Sequence, residues 1–177
     1  STLVSDMSTN PVVAISSASA LSVDSESFTG DDVSPELLLF TLDMTSEVLT
    51  MSFSETVRYT TVFPSRITLQ DATNTTVTYT LRFGGNVSEV NSTVVQIQLT
   101  LQDLNAIKAM GAIATSQDTT YISLSAGAIF DASGNPVVAI PTTQGQRAFE
   151  FTEDNTDPYI TAFVINRDTS TITLSFS

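Results

Sequence analysis

The sequence contains no cysteine and no histidine. Without cysteine the chain has no disulfide bond, no thiolate zinc site and no cysteine nucleophile. Without histidine it has no Ser-His-Asp triad and lacks the commonest general base of enzymes. These absences predict a protein that is not an enzyme. The catalytic alternative that they leave open is a pair of carboxylates of the kind that glycosidases use.

Positive charge is also scarce, with 6 basic against 19 acidic side chains and a formal net charge of −13. Nucleic acids and anionic membrane surfaces bind clustered cations, whereas the basic residues of this chain are scattered singly. The sequence also lacks an apolar run of 18 residues, which a membrane-spanning helix needs. We therefore expect neither a nucleic-acid partner nor direct membrane insertion. The acidic surface can attract divalent cations, or it can simply keep the protein soluble.

The most informative feature of the sequence is an internal repeat. The six residues Asn-Pro-Val-Val-Ala-Ile occur twice, 125 positions apart, and an aspartate, Asp6 or Asp131, precedes each copy by four positions. A second pair of segments follows at an offset of 123, which then holds to the end of the chain. The matching segments are 10–15 with 135–140, 28–35 with 151–158 and 49–54 with 172–177. Ordered blocks in one register indicate a tandem duplication rather than coincidence in a chain rich in serine and threonine.

The repeat divides the chain into three parts. Residues 1–30 are the C-terminal part of a preceding repeat, residues 31–153 a complete repeat, and residues 154–177 the N-terminal part of a following repeat. The parent protein is therefore expected to extend in both directions. Because the two partial repeats cannot bury their own apolar faces, we expect them to be ordered only when packed on neighbouring repeats or on other chains.

Alternating apolar and polar residues predict strands throughout the complete repeat. The clearest alternation has Val95, Ile97, Leu99 and Leu101 on one face. About seven strands are predicted, over 37–42, 48–53, 67–70, 77–83, 95–101, 121–124 and 148–151. One segment breaks the pattern, because residues 101–110 fit a short helix that ends at Gly111. The predicted fold is all-β, an immunoglobulin-like antiparallel β-sandwich of about seven strands with one short inserted helix.

Both ends of the complete repeat carry motifs that resemble a known family. The first is Asp31-x-x-x-Pro35, followed by an apolar strand and then by Leu-Thr-Met-Ser-Phe-Ser-Glu-Thr-Val over residues 49–57; the second is Asp131-x-x-Gly-Asn-Pro136. These motifs resemble bacterial-type immunoglobulin-like, cadherin-like tandem repeats of large cell-surface or filament proteins. The resemblance implies an extracellular location at the cell surface and a structural or adhesive role. The middle of the repeat lies outside it, and the inserted helix is a departure.

Acidic side chains concentrate where two repeats would meet. Calcium takes six to eight oxygen ligands, usually from several chain segments, and an ion that bridges two domains and their linker would stiffen the junction. The candidate calcium ligands are Asp31, Asp32, Glu55, Asp131, Asp154, Asn155 and Asp157. The alternative is that these acids are solvated turn residues before a proline, where Asp and Asn are common in any case.

Three asparagines, Asn74, Asn86 and Asn91, fit the Asn-x-Ser/Thr pattern for N-glycosylation. In a secreted eukaryotic protein one or more would carry a glycan, although a chain so rich in serine and threonine can also acquire such triplets by composition. Three aromatic residues, Tyr59, Phe63 and Phe83, could form a carbohydrate-binding face. The sequence favours the other reading, in which both phenylalanines are core residues and the tyrosine is partly exposed.

Together these features predict a structural tandem repeat of a long extracellular surface protein, acting as a rigid spacer or assembly unit in a filament, stalk, surface layer or adhesin. Its expected partners are neighbouring repeats of the same chain, with lateral self-association into a filament as a further possibility. No cofactor other than calcium is expected. The alternative function is a glycan- or protein-binding β-sandwich module.

Overall fold

The computed structural model describes residues 4–176. These residues divide between Asp31 and Asp32 into two compact units. In the first unit every described side chain is exposed. From residue 4 onwards, the regular structure of this unit consists of one 3-10 turn at Ser17–Ser19 and an isolated bridge between Ser5 and Pro11. The predicted domain boundary after residue 30 lies one residue from the division between the units. The assignment of the three parts to successive repeats stays a prediction.

The second unit is mostly β-structure, with several largely antiparallel sheets and one α-helix. Its strands are β1 Leu37–Asp43, β2 Val48–Val57, β3 Ile67–Gln70, β4 Thr78–Thr80, β5 Gly85–Val87, β6 Ser92–Leu99, β7 Tyr121–Leu124, β8 Gln146–Arg147, β9 Glu150–Thr152, β10 Ile160–Asn166 and β11 Thr171–Phe176. The helix is α1 Leu101–Met110, and four 3-10 turns lie at Tyr59–Thr61, Pro64–Arg66, Gln117–Thr119 and Thr142–Gln144. None of the helices within residues 4–176 is long and apolar enough to cross a membrane.

Two sheets make up the part of this unit that ends at β9. One has five strands in the order β5-β6-β2-β1-β9, and the other has four in the order β4-β3-β7-β8. All neighbouring strands are antiparallel except β1 and β9, which are parallel. A single cluster of buried apolar side chains draws on both sheets, because alternate residues of each strand point to the same side. Residues from β2, β6, β3 and β7 in this cluster include Leu49, Met51, Val95, Ile97, Ile67, Leu69 and Ile122.

The helix follows the sequence prediction at both ends. The Thr100 hydroxyl accepts a hydrogen bond from the backbone N–H of Asp103, which caps the first turn. Gly111 ends the helix with φ +63°, in the left-handed region that glycine adopts at least cost. One side of the helix contributes Leu104 and Ile107 to the core.

Several details of the predicted strand pattern are wrong. Between residues 32 and 153 the structure has nine strands rather than about seven, and β5 and β8 lie outside the predicted ranges. The strand predicted over 77–83 shortens to Thr78–Thr80. Beyond it, the backbone N–H groups of Arg82 and Phe83 donate to the Asp103 carboxylate instead of to a strand partner.

Two predicted core residues also lie at the surface. Phe63 and Phe83 are 45% and 59% exposed, so the expectation that both belong to the core is wrong. Tyr59 is half-buried, as expected for a partly exposed tyrosine. Phe63 instead carries the guanidinium of Arg66 over its ring, 5.6 Å from the ring centre.

Candidate functional site

The two β-hairpins of the second unit have the same pairing. In the first hairpin, β1 and β2 pair from Leu37 with Phe53 to Asp43 with Val48, with one irregularity just after Leu37. Adding 123 to every residue number gives the pairing of β10 with β11, including the irregularity, which follows Ile160. The tight turns also agree, because Glu47 and Ser170 both adopt the left-handed conformation, with φ +64° and +54°. The sequence repeat is therefore also a repeat of backbone structure.

The hairpins differ in what covers them. Five apolar side chains of the first hairpin are at most 3% exposed, and their counterparts in the second are 47% to 67% exposed. The pairs are Phe40 and Phe163, Leu42 and Ile165, Leu49 and Ile172, Met51 and Leu174, and Phe53 and Phe176. Within the described residues β10 and β11 pair only with each other, whereas β6 and β9 flank the first hairpin. Within the described residues, the apolar face of the second hairpin is therefore uncovered.

A second local structure occurs twice, at the offset of 125. The Asp131 carboxylate accepts hydrogen bonds from the backbone N–H and the side-chain amide of Asn135, both at 2.7 Å. In the first unit the Asp6 carboxylate accepts the same two bonds from Asn10, at 2.8 and 3.0 Å. The residue before each asparagine has a positive φ, +97° at Gly134 and +67° at Thr9. Each aspartate therefore favours the turn of its own loop by accepting hydrogen bonds from backbone N–H groups of that loop.

Only the later copy of this loop is covered. Asp131 is 1% exposed and forms a bridge with Val57, at the end of β2. Burial raises the pKa of Asp131, but hydrogen bonds from Asn135, Gly134 and Ser133 outweigh it, so that the pKa lies below its ordinary value of 3.8. Asp6 is exposed, and hydrogen bonds from Asn10 also lower its pKa.

The chain enters and leaves the complete repeat at opposite ends of the five-stranded sheet. Strands β1 and β9 are neighbours and run parallel, so the start of β1 and the end of β9 lie at opposite ends. At the incoming end, Pro35 is buried and its carbonyl accepts a hydrogen bond from Val138 N–H at 2.9 Å. At the outgoing end, the Thr152 carbonyl accepts from Met44 N–H at 2.9 Å.

Contacts at the outgoing end hold the linker that leads to β10. Lys108, on α1, donates a hydrogen bond to Asp154 Oδ2 at 2.6 Å, and this contact lowers the pKa of Asp154. The Thr45 hydroxyl donates to the Glu153 carbonyl at 2.8 Å. A groove of about 560 Å³ runs beside these contacts. Its lining includes Met44, Leu101, Leu104, Pro158 and Tyr159. The inserted helix therefore contacts the linker as well as the core.

Within the second unit, the predicted calcium ligands lie at both ends rather than at one. A carboxylate oxygen of Glu55 and one of Asp131 lie within 4.8 Å of each other at the incoming end. Asp154 lies at the outgoing end, where Oδ1 accepts from Thr156 N–H and Oδ2 from Lys108. Asp31, Asp32, Asn155 and Asp157 are exposed. Among the described residues no three acidic side chains gather around Asp154. Calcium binding stays a prediction.

The three sequon asparagines are exposed on the complete repeat. Asn86 lies in β5 and Asn74 in the bend between β3 and β4, while Asn91 directly precedes β6. The side-chain oxygen of Asn91 accepts a hydrogen bond from Tyr59 N–H at 3.2 Å. Exposure is what a glycan acceptor needs, and the modification itself stays a prediction.

A buried carboxylate that the sequence reasoning did not single out organises the middle of the repeat. Asp103 is fully buried, and its Oδ1 atom accepts hydrogen bonds from the Tyr79 hydroxyl at 2.7 Å and from Arg82 N–H at 2.9 Å. Its Oδ2 atom accepts from Phe83 N–H and the Thr100 hydroxyl, both at 3.1 Å. Burial together with the bond to Asp103 raises the pKa of Tyr79 to about 12. The Thr-x-x-Asp spacing over residues 100–103 is the sequence feature that could have marked Asp103 as a residue of the helix start.

No protein-family model, no curated protein and no solved structure matches this chain.

Proposed function

We propose that this chain is a segment of a tandem array of immunoglobulin-like β-sandwich repeats in a long extracellular protein of the cell surface, with a structural rather than an enzymatic role. One observation carries the proposal. A hairpin with the same register, the same irregularity and the same left-handed turn residue occurs twice at an offset of 123, once covered and once open. Tandem repeats gain stability by stacking, because each repeat buries part of the surface of its neighbours.

The opposite positions of the incoming and outgoing ends support a role as a spacer. When the chain enters every unit at one end and leaves it at the other, successive units form an elongated array instead of folding back on each other. The linker from Glu153 to Tyr159 is short, contains Pro158 and contacts the complete repeat through Lys108 and Thr45. A short linker that contains proline and is held by such contacts limits bending between units. The exposure of Asn74, Asn86 and Asn91 fits an extracellular location.

The proposal is tested by lengthening the chain by one repeat. In a tandem variant, residues 1–153 are followed directly by residues 31–177, so that the added junction has Asp31 where the natural one has Asp154. Small-angle X-ray scattering then gives the maximum dimension of both proteins. The longest strand, β2, has ten residues and spans about 33 Å, so we expect the tandem variant to be longer by roughly 40 Å, with no change in cross-section.

A matched variant with ten glycine and serine residues inserted between Thr152 and Glu153 at the junction serves as the control. A flexible linker lets two rigid units explore many angles, so the distribution of interatomic distances should broaden and lose the features of a stiff, extended rod. Equally broad distributions for the two linkers, or a tandem variant that is thicker rather than longer, would contradict a spacer role.

A further inference from the structure

The strands through which the chain enters and leaves the complete repeat lie side by side. The chain reaches β1 through residues 32–36 and leaves β9 through residues 153–159. Strands β1 and β9 are parallel neighbours, and their register pairs Thr41 with Glu150, Leu42 with Phe151 and Asp43 with Thr152. A pull on the chain from both sides therefore acts on the start of one strand and on the end of the strand next to it.

The direction of this pull decides how the hydrogen bonds between β1 and β9 are loaded. The bonds of a parallel ladder run from strand to strand, so a force along the strands loads all of them together, in shear. Phe149 N–H donates to the Phe40 carbonyl at one end of the ladder, and Met44 N–H donates to the Thr152 carbonyl at the other, both at 2.9 Å. A force across the strands would instead open the bonds one after another.

The core adds to the resistance against sliding. The side chains of Phe40 and Leu42, on β1, are fully buried, and Phe151, on β9, packs against the same apolar cluster. A shift of β1 by one residue would turn its buried side chains to the opposite face of the sheet, and protein interiors are too closely packed to absorb such a change. The ladder and the packing around it therefore have to give way together.

We infer that the complete repeat bears tension along the array and that the β1–β9 pair is the element that resists it. The inference rests on the proposed function, because the neighbouring repeats of an array transmit the force. Contacts outside this pair yield first. Lys108 and Asp154, which hold the linker, are about one-third exposed, and an irregularity just after Leu37 interrupts the pairing of β1 with β2. The chain on both sides straightens while residues 41–43 stay paired with β9.

The absence of cysteine allows force to be applied at chosen positions of the full chain. In the double variant Asp32→Cys, Thr156→Cys, handles coupled to the two thiols in an optical trap pull along β1 and β9. The matched control is Ser46→Cys, Thr156→Cys. Ser46 lies in the turn between β1 and β2, so both handles are at the outgoing end and the force acts across the strands. All three positions are exposed.

At equal pulling speed we expect the force that unfolds the complete repeat to be several-fold higher for the first pair of handles than for the control. The two double variants should have the same unfolding midpoint in urea, so that only the direction of the force differs between them. Equal unfolding forces in the two directions, or a higher force across the strands, would overturn the inference.

A second measurement separates mechanical resistance from overall stability. Thr152→Pro removes a backbone donor of β9, and this donor faces β1 because the N–H and C=O groups of one strand residue point to the same side. Leu69→Ala instead truncates a fully buried side chain of β3, in the other sheet. Forced unfolding depends on the barrier to unfolding rather than on the free energy of unfolding, so the two variants should differ in what they change.

Under a pull along the strands, Thr152→Pro should lose most of the unfolding force, whereas Leu69→Ala should keep it although it unfolds at a lower urea concentration. Unfolding forces that fall in proportion to urea stability in both variants would contradict a specific role of the β1–β9 pair. The comparison of pulling directions does not require Thr152→Pro to fold. A long tandem variant with equal unfolding forces in both directions would remove the load-bearing role alone, whereas a thick one would contradict the proposed spacer.

Discussion

Phe40 and Phe163 occupy the same register position in two copies of one hairpin, yet Phe40 is fully buried and Phe163 is 65% exposed. The local backbone is the same in both places, so the difference comes from the surrounding strands. The first hairpin has β6 on one edge and β9 on the other, and within residues 4–176 the second has neither. We therefore expect two hairpins of the same register to contribute unequally to the stability of the chain.

We predict that Phe40→Ala lowers the free energy of unfolding by about 3–5 kcal/mol, because it leaves a cavity in the core of the complete repeat. Phe163→Ala should change it by less than about 0.5 kcal/mol, since this side chain has no packed surroundings to lose. Urea unfolding followed by circular dichroism measures both free energies of unfolding. Comparable losses from the two substitutions would show that the second hairpin is part of the folded core.

A second pair of matched substitutions compares the two repeated aspartate loops. Asp131→Asn is expected to lower the free energy of unfolding by about 1–3 kcal/mol, because an amide group cannot accept all the hydrogen bonds that the buried carboxylate accepts. The corresponding change at the exposed loop, Asp6→Asn, should leave global unfolding unchanged. Thermal melts of both variants at pH 7 provide the comparison, and equal melting temperatures would contradict the structural role of Asp131.

The Asp131 carboxylate should also make stability depend on pH. Its pKa in the folded protein lies below the ordinary value of 3.8, so the folded state favours the charged form. The resulting contribution is complete above the unfolded pKa and is lost as the pH falls through the folded pKa. Between pH 5 and pH 2 the stability of the wild-type protein should therefore fall more steeply than that of Asp131→Asn. If the stability of both proteins fell equally between pH 5 and pH 2, Asp131 would not contribute to the loss of stability in acid.

Much of the fold could be predicted because periodicity and capping are local properties. Alternation of apolar residues located β2 and β6, and Gly111 located the end of α1. The prediction failed at β5, where Gly85 suggests a turn. The structure places Gly85 with φ +145° against strand β6, where a Cβ atom would lie 2.2 Å from the Gln98 carbonyl oxygen. Here glycine permits close approach of two strands, a demand that only the partner strand reveals.

The contacts at the repeat ends were less predictable, because they join residues far apart in the sequence. Lys108 and Asp154 are 46 positions apart, and no local pattern pairs them. Sequence proximity and chemical type group the acidic junction residues together, whereas the structure places Asp131 at the incoming end and Asp154 at the outgoing end of the complete repeat. The internal repeat was different, since two aligned copies supply long-range information within a single sequence.

The buried pair of Tyr79 and Asp103 should be visible in an alkaline titration. The neutral form of Tyr79 is favoured in the folded protein, with a pKa raised from 10.0 to about 12. This contribution to stability is complete below pH 10 and is lost as the pH rises towards 12. Absorbance at 295 nm should show one of the four tyrosines ionising near pH 12, and Tyr79→Phe should remove that step. Its persistence in the variant would assign it to another tyrosine.

The same substitution tests how strongly Asp103 organises the middle of the repeat. Tyr79→Phe removes a hydrogen bond to a buried charged group and is expected to lower the free energy of unfolding by about 1.5–3 kcal/mol. Asp103→Asn should lower the free energy of unfolding further, because it also weakens the hydrogen bonds that Asp103 accepts from Arg82 N–H, Phe83 N–H and the Thr100 hydroxyl. Chemical denaturation of both variants checks this order, and a larger effect of Tyr79→Phe would contradict it.

The ion pair between Lys108 and Asp154 should affect the linker more than overall stability. Both side chains are about one-third exposed, so solvent screens the pair and Lys108→Met should change the free energy of unfolding by at most about 1 kcal/mol. Asp154 nevertheless begins the linker to the second hairpin, and losing its partner on α1 should free the residues that follow. We expect amide hydrogen exchange to accelerate at residues 154–159 and to stay unchanged in β1–β9. The matched control is Arg147→Met, which removes the more exposed ion pair with Asp118 on the same repeat. If both variants leave exchange at 154–159 unaltered, the inserted helix does not hold the junction.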